Sequence, residues 1–228
     1  MRVVLLQPPA WRLRPPADVL AETLAVPRIG LGDLFRAHLS RGTELGNRSS
    51  EVIRSGGPVP DEIVMAVVHE HLRRTVPAAF LLDGHPHNTT RARALDEMLR
   101  ELGIPLGGVL HLHLSEHETE RRILRWAARR LCREDPMHGL GPGHGYGDAY
   151  QPGEVFGDGP CEVCGGELYQ REDDREERVR GRISTYRAMI EPVIRYYADQ
   201  DLLTTIDAEG THEEIAGRAL AALRRRGH

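Results

Sequence analysis

Four short strand-like runs, separated by helix-compatible stretches, constrain the fold of this chain more than any other feature. The runs are Val3–Leu6, Ala79–Leu82, Val109–Leu114 and Leu203–Ile206. Apolar runs this short are predicted to be strands, and an unbroken one such as Val3–Leu6 is a strand buried on both faces. Between and after them lie the predicted helices Ala17–Leu24, Leu34–Ser40, Glu62–Arg74, Arg91–Leu102, Glu116–Leu131, Glu176–Gln200 and Glu213–Arg226. Glu51–Arg54 continues helical character until Gly56-Gly57-Pro58 ends it. Within Glu62–Arg74, the apolar Ile63, Val64, Val67, Val68 and Leu72 fall on one face. Strands alternating with helices predict an α/β protein, a parallel sheet covered on both faces. The segment from Cys132 to Gly166, rich in Gly, Pro and His, reads as a separately folded insert.

At 228 residues the chain can bury one good core with a small appended subdomain. All 30 residues counted as Lys or Arg are arginine, so no lysine is available as nucleophile, base or phosphate ligand. The formal charge of −4, with arginines spread along the chain, gives no argument for nucleic-acid binding. No apolar stretch is long enough to span a bilayer, and the N-terminus lacks a signal-peptide pattern. The 3 cysteines, an odd number confined to Cys132–Cys164, suit a metal site better than a disulfide framework. A monomeric, cytoplasmic protein without membrane or nucleic-acid partners is expected.

A strand, loop and helix at the N-terminus are where a phosphate-binding loop, G-x-x-x-x-G-K-[ST], is looked for. Here the loop reads Gln7-Pro8-Pro9-Ala10-Trp11-Arg12-Leu13-Arg14-Pro15-Pro16, with no Gly, Lys, Ser or Thr. Such loops aim successive backbone N–H groups at phosphate, with glycine permitting the close approach.

Other segments form an ordered set that covers nearly the whole chain. They are Gly32-Asp33-Leu34-Phe35-Arg36, Gly42-Thr43-Glu44-Leu45-Gly46, Val59-Pro60-Asp61-Glu62, Phe80-Leu81-Leu82-Asp83-Gly84 and Ala94-Leu95-Asp96-Glu97-Met98-Leu99. Cys161-x-x-Cys164-Gly165-Gly166-Glu167-Leu168-Tyr169-Gln170-Arg171-x-Asp173-Asp174 completes it. In this set the chain resembles adenylate kinase and the wider nucleoside-monophosphate kinases. The resemblance implies a P-loop-NTPase-like parallel sheet flanked by helices. The core would comprise residues 1–29, 61–124 and 171–228. A monophosphate-binding insert would span 30–60, and a zinc-type lid 125–170. Closure of such a lid excludes water and brings arginines onto the transferring phosphoryl group.

The resemblance also implies roles for single residues. Asp83 matches the carboxylate that organises water around Mg²⁺. Arg36 matches a ligand of the monophosphate. Arg125 and Arg129, four apart on one predicted helix, would share an anion-gripping face, joined by Arg171 and Arg182. Val59, Gly84, His85, His87 and Arg91 fall in the monophosphate site. There the chain departs from the family: His85-Pro86-His87 stands for Phe-Pro-Arg, and Arg91 for the base-reading glutamine. In the phosphate loop Ala10, Arg12 and Arg14 stand at glycine positions, Leu13 for the lysine and Pro15 for the Ser/Thr. Cys132, Cys161 and Cys164 match three ligands of a lid zinc, with Asp135 or His138 as the fourth.

The expected function is binding of a nucleotide or a phosphorylated small molecule, with ordinary ATP-dependent transfer lost or strongly reduced and a structural zinc in the lid. Two alternatives stand beside it. In one, Arg12 and Arg14 remodel the loop of a working kinase that uses Mg-ATP. In the other, Asp83, His85 and His87, joined by His111 and His113, form a new metal or acid–base centre of a repurposed, hydrolytic or other enzyme.

Overall fold

The computed structural model describes residues 1–8, 16–54, 59–134, 155–156, 159–161 and 163–225, with the side chains at 53, 54, 126, 129, 155, 156 and 173 excepted. Its centre is a parallel five-stranded sheet of β1 (Arg2–Leu6), β2 (Arg28–Gly30), β3 (Phe80–Asp83), β4 (Gly108–His113) and β8 (Leu203–Asp207), in the order β2-β3-β1-β4-β8. Alternate residues of β1 face opposite ways, as the strand period of two requires. Val3 and Leu5 pack with α1 (Pro16–Thr23) and α8 (His212–Arg225). Val4 and Leu6 pack with α4 (Asp61–Thr75), α5 (Thr89–Glu101) and α7 (Glu176–Ala198). Burial on both faces explains why β1 is apolar throughout. The predicted helix face bears out in the same way: Ile63, Val64, Val67, Val68 and Leu72 of α4 are all buried.

Two expectations are corrected. β2 was not legible, because three residues after Pro27 carry no strand pattern of their own. It forms by pairing Ile29 with Leu82 and Gly30 with Asp83. The long helix Glu116–Leu131 is shorter: α6 ends at Ala127, and Arg129–Cys132 is a strand, β5. β5 pairs with β7 (Leu168–Tyr169) and with β6 (Val155–Phe156) in a second, antiparallel sheet. This pairing buries Leu131 and Cys132, which a continued helix would carry away from β7. Arg125 and Arg129 therefore do not share a helix face. Among the described residues no helix is long and apolar enough to cross a membrane.

Residues 30–54 form β2's end, α2 (Leu31–Ser40) and α3 (Glu44–Arg54). Thr43 joins the two helices: its Oγ1 accepts from the Gly46 amide at 3.1 Å and lies 2.9 Å from His38 Nδ1. Gly46 allows α3 to pass over the end of α2, since a Cβ there would lie 2.5 Å from the His38 carbonyl. By contrast, a Cβ on Gly217 in α8 would meet nothing within 4 Å. Gly46→Ala should therefore destabilise the chain by about 1–3 kcal/mol through overpacking. Gly217→Ala should stabilise it by roughly 0.5–1 kcal/mol through helix entropy. Thermal melts of the two variants should shift in opposite directions, by roughly 2–4 °C per kcal/mol for a chain of this size.

Candidate functional site

In the strand order β2-β3-β1-β4-β8, the chain runs from β1 to the edge strand β2, returns to β3 beside β1, and then crosses to β4 on the other side. The carboxyl ends of β1, β3 and β4 therefore flank a switch point, where open α/β sheets bind ligands. Gln7 follows β1 and Asp83 closes β3. Gly84, at φ +79°, turns the chain sharply out of the sheet in a conformation other residues rarely adopt.

Asp83 is only 6% exposed, and both of its oxygens are engaged. Gln7 Nε2 donates to Oδ1 at 2.7 Å. Arg28 donates to Oδ2 twice, from Nη2 at 2.6 Å and from Nε at 3.1 Å. Arg28 also donates from Nη1 to Asp33 at 2.9 Å and lies 3.5 Å from Asp18. Burial opposes the charge on Arg28, but its hydrogen bond to Asp83 and the three neighbouring carboxylates outweigh that and raise its pKa.

Beyond Gly84 lie the residues expected to contact the monophosphate. His85 is 1% exposed and neither ring nitrogen has a hydrogen-bond partner. Burial, reinforced by Arg91 and His87, pushes its pKa down to about 3. Burial and Arg91 also lower the pKa of His87, whose ring meets Tyr186 of α7 edge-on at 6.3 Å. Arg91 sits in the first turn of α5, capped by Asn88, whose Oδ1 accepts from the Arg91 amide at 2.8 Å. Its guanidinium donates to Asp61 at 2.7 Å and to the Val59 carbonyl at 3.0 Å. Asn88 takes the other oxygen of Asp61 at 2.9 Å. Val59, Gly84, His85, His87 and Arg91 thus do gather at one end of the sheet.

The remaining expected arginines lie around this centre. Arg36 pairs with Asp33 and its side chain is 73% exposed. Arg182 is one helical turn before Tyr186 on α7, so the two share a face. Arg125 is half-buried in the last turn of α6, and Arg171 precedes a short 3-10 turn, Glu172–Asp174. Arg12 and Arg14 lie outside the described residues, as does the side chain of Arg129.

The wider histidine centre does not assemble. His111 lies against its own neighbours: Nδ1 is 3.3 Å from Thr205 Oγ1, and the His113 ring is 6.0 Å away. Burial and His113 lower the His111 pKa to about 4. Among the described residues, the only His, Cys, Asp or Glu group close enough to share a metal ion is Cys132, Cys161 and Cys164.

Those three sulfurs lie within 4.8 Å of one another, and Cys132 Sγ is 3.5 Å from Cys164 Sγ. The turn that brings Cys161 and Cys164 together is closed by two backbone bonds. The Gly165 amide donates to the Cys161 carbonyl at 2.7 Å, and the Cys161 amide to the Gly166 carbonyl at 2.8 Å. The Gly166 amide favours a Cys164 thiolate, but burial and the other two thiols outweigh it and push its pKa to about 11. A divalent cation reverses that balance by favouring thiolates. Three clustered sulfurs fit the soft, tetrahedral preference of Zn²⁺. Asp135 and His138, the expected fourth ligands, lie outside the described residues.

Similarity to known proteins agrees with this architecture. The family model described as adenylate kinase matches residues 14–202. The adenylate kinase of Streptomyces coelicolor is 44% identical over 226 residues, covering 99% of each chain. That of Streptomyces avermitilis is 43% identical, covering 99% of this chain and 98% of the relative. That of Thermodesulfovibrio yellowstonii is 36% identical over 227 residues. The chain belongs to the adenylate kinase family.

Family membership brings the expectation of Mg²⁺ near Asp83, and that carboxylate already receives three hydrogen bonds, one on Oδ1 and two on Oδ2. A bound Mg²⁺ keeps several waters, and Oδ1 retains a lone pair that one of them could use. Gln7 and Arg28 were not anticipated as site residues. Gln7 is the first residue of the atypical loop, which was a usable signal. Arg28 was hidden by the missed strand β2, and Tyr186 by its distance in sequence from His87.

His85 gives this site a measurable acid signature. It stays neutral in the folded protein down to about pH 3, but its ordinary value is 6.5. Between those values the unfolded chain binds the extra proton. Stability is therefore complete above the unfolded pKa and falls as pH drops toward 3, by at most about 1.4 kcal/mol per pH unit. Urea denaturation across this window should show a flatter profile for His85→Phe than for the unmodified chain.

Proposed function

We propose that this adenylate kinase family member binds a nucleotide or a related phosphorylated small molecule in the crevice at the carboxyl end of the sheet. Conventional transfer from ATP to a nucleoside monophosphate is lost or strongly reduced. The observation that carries this reading is the pairing of Asp83 with Arg28 and Gln7, which places a fixed guanidinium charge where a metal-bound phosphate would be ordered. The loop sequence supports it: from Gln7 to Pro16 there is no glycine, no lysine and no hydroxyl side chain. The names of the relatives support nucleotide as the ligand class. In this reading residues 30–60 cover the ligand, and 125–170 form a lid. Arg36, Arg125, Arg129, Arg171 and Arg182 bear on its phosphates, which planar guanidinium groups grip with paired hydrogen bonds.

Removing a single transition-state donor typically slows an enzyme by about a hundredfold to a thousandfold. A coupled assay with Mg²⁺, ATP and AMP, run beside the Streptomyces coelicolor relative, should show turnover lower by at least that factor. Calorimetry should still detect a bound nucleotide. Turnover at the relative's rate would overturn the reading, and would favour a working kinase with a remodelled Arg12–Arg14 loop.

The lid is proposed to hold one structural zinc on Cys132, Cys161 and Cys164, with Asp135 or His138 as fourth ligand. Metal analysis of the purified chain should give about one zinc per chain. Cys161→Ser should release it and speed hydrogen exchange in β5 and β7. Unchanged zinc and exchange in that variant would remove the metal from the reading.

A further inference from the structure

Away from the crevice, α2 and α4 frame a cavity of about 390 Å³ beside the edge strand β2. Each helix contributes one face to it. On α2, Leu34, His38 and Arg41 follow one another by four and three residues. On α4, Glu70 and His71 lie four and three residues before Arg74. Another face of α2 turns to the crevice, where a Cβ on Gly84 would lie 3.6 Å from the Leu31 Cβ. The cavity is therefore separate from the site at the strand ends, and it has the volume of a small-molecule pocket.

Charge restricts what it can take. Arg28, Arg41 and Arg74 line it, against the carboxylates of Asp33 and Glu70. Asp33 is held by two guanidiniums, Arg28 on Oδ2 and Arg36 on Oδ1. Arg28 is in turn engaged by Asp83, Asp33 and Asp18. Arg41 and Arg74 differ, because among the described residues neither forms an ion pair. Arg41 donates from Nε to the Ala37 carbonyl at 3.0 Å, which leaves both of its Nη groups for a ligand. Glu70, the other carboxylate of the wall, opposes them.

His38 adds a buried donor. It is 2% exposed, lines the cavity, and lies with Nδ1 2.9 Å from Thr43 Oγ1. The His38 carbonyl already accepts from the Thr43 amide at 3.1 Å. The Thr43 hydroxyl proton can therefore serve Nδ1, which puts the ring proton on Nε2. Among the described residues Nε2 has no partner. Burial, then Arg74 and His38, lower the His71 pKa, so these basic groups face one another. A phosphate group brings two negative charges and three acceptor oxygens around one centre, which matches two guanidiniums and an imidazole N–H.

We propose that this cavity is a second ligand site, distinct from the crevice, which takes a phosphate dianion, free or at the end of a small ester. Arg41 and Arg74 hold its charge and the His38 Nε2–H donates to one oxygen. Ile29, Leu34 and Ala37 supply an apolar wall for the carbon chain of an ester.

The test is an NMR titration of the full chain at about pH 8, where phosphate is doubly charged. The probes are inorganic phosphate, glycerol 3-phosphate and succinate. At least one phosphate probe should shift the amides around His38, Arg41, His71 and Arg74, and the tighter of the two names the source. Arg41→Gln and Arg74→Gln, both at exposed positions, should each weaken that binding by about tenfold. Glu70→Gln should tighten it by removing the opposing charge. Arg73→Gln, next to Arg74 but off the cavity, should leave it within about twofold. The proposal is overturned if neither phosphate probe shifts these amides, or if succinate binds as tightly. It is equally overturned if Arg73→Gln weakens binding as much as Arg74→Gln, because the effect is then one of general surface charge.

Discussion

A single guanidinium holds the functional end of this molecule together. Arg28, on the edge strand β2, reaches Asp83 at the end of β3, Asp33 at the start of α2 and Asp18 on α1. Three consecutive elements, α1, β2 and α2, are joined to the distant β3 through one side chain that is 26% exposed. Charge-assisted hydrogen bonds of this kind are about twice as strong as neutral ones. The arrangement needs the exact length of arginine and its forked geometry, which a lysine would not reproduce.

The same contact sets the electrostatics of the crevice. Asp61 favours a charged His85 and Asp83 a charged His87, but burial and the Arg91 guanidinium outweigh both. Burial then lowers both histidine pKa values, and the strand ends present neutral, bifunctional hydrogen-bonding groups. The cations inside the site, Arg28 and Arg91, are both paired with carboxylates. The Arg28–Asp83 and Arg91–Asp61 pairs thus order the residues that follow β1 and β3.

Much of the fold was legible because local pattern and burial agree. β1 reads as a doubly buried strand, and α4 shows its apolar face directly in sequence. The reading failed where long-range pairing overrides a weak local signal. β2 exists only because β3 offers it hydrogen bonds, and β5 interrupts a helical pattern because β7 lies opposite it. At the candidate site, Asp83, His85, His87 and Arg91 were proposed from their motif positions, whereas Gln7, Arg28 and Tyr186 were not. Each of those three acts through a partner at least 55 residues away or on another element.

By itself, then, the sequence determined the α/β class, the buried strands, the three clustered cysteines and the residue types of the Gln7–Pro16 segment and the His85–His87 turn. These follow from residue type and spacing, which carry hydrophobic periodicity and ligand chemistry directly. Only the tertiary structure decided which charges meet. Pairing Arg28 with Asp83, Arg91 with Asp61 and His87 with Tyr186 depends on strand order and helix packing, and no local propensity encodes those distances.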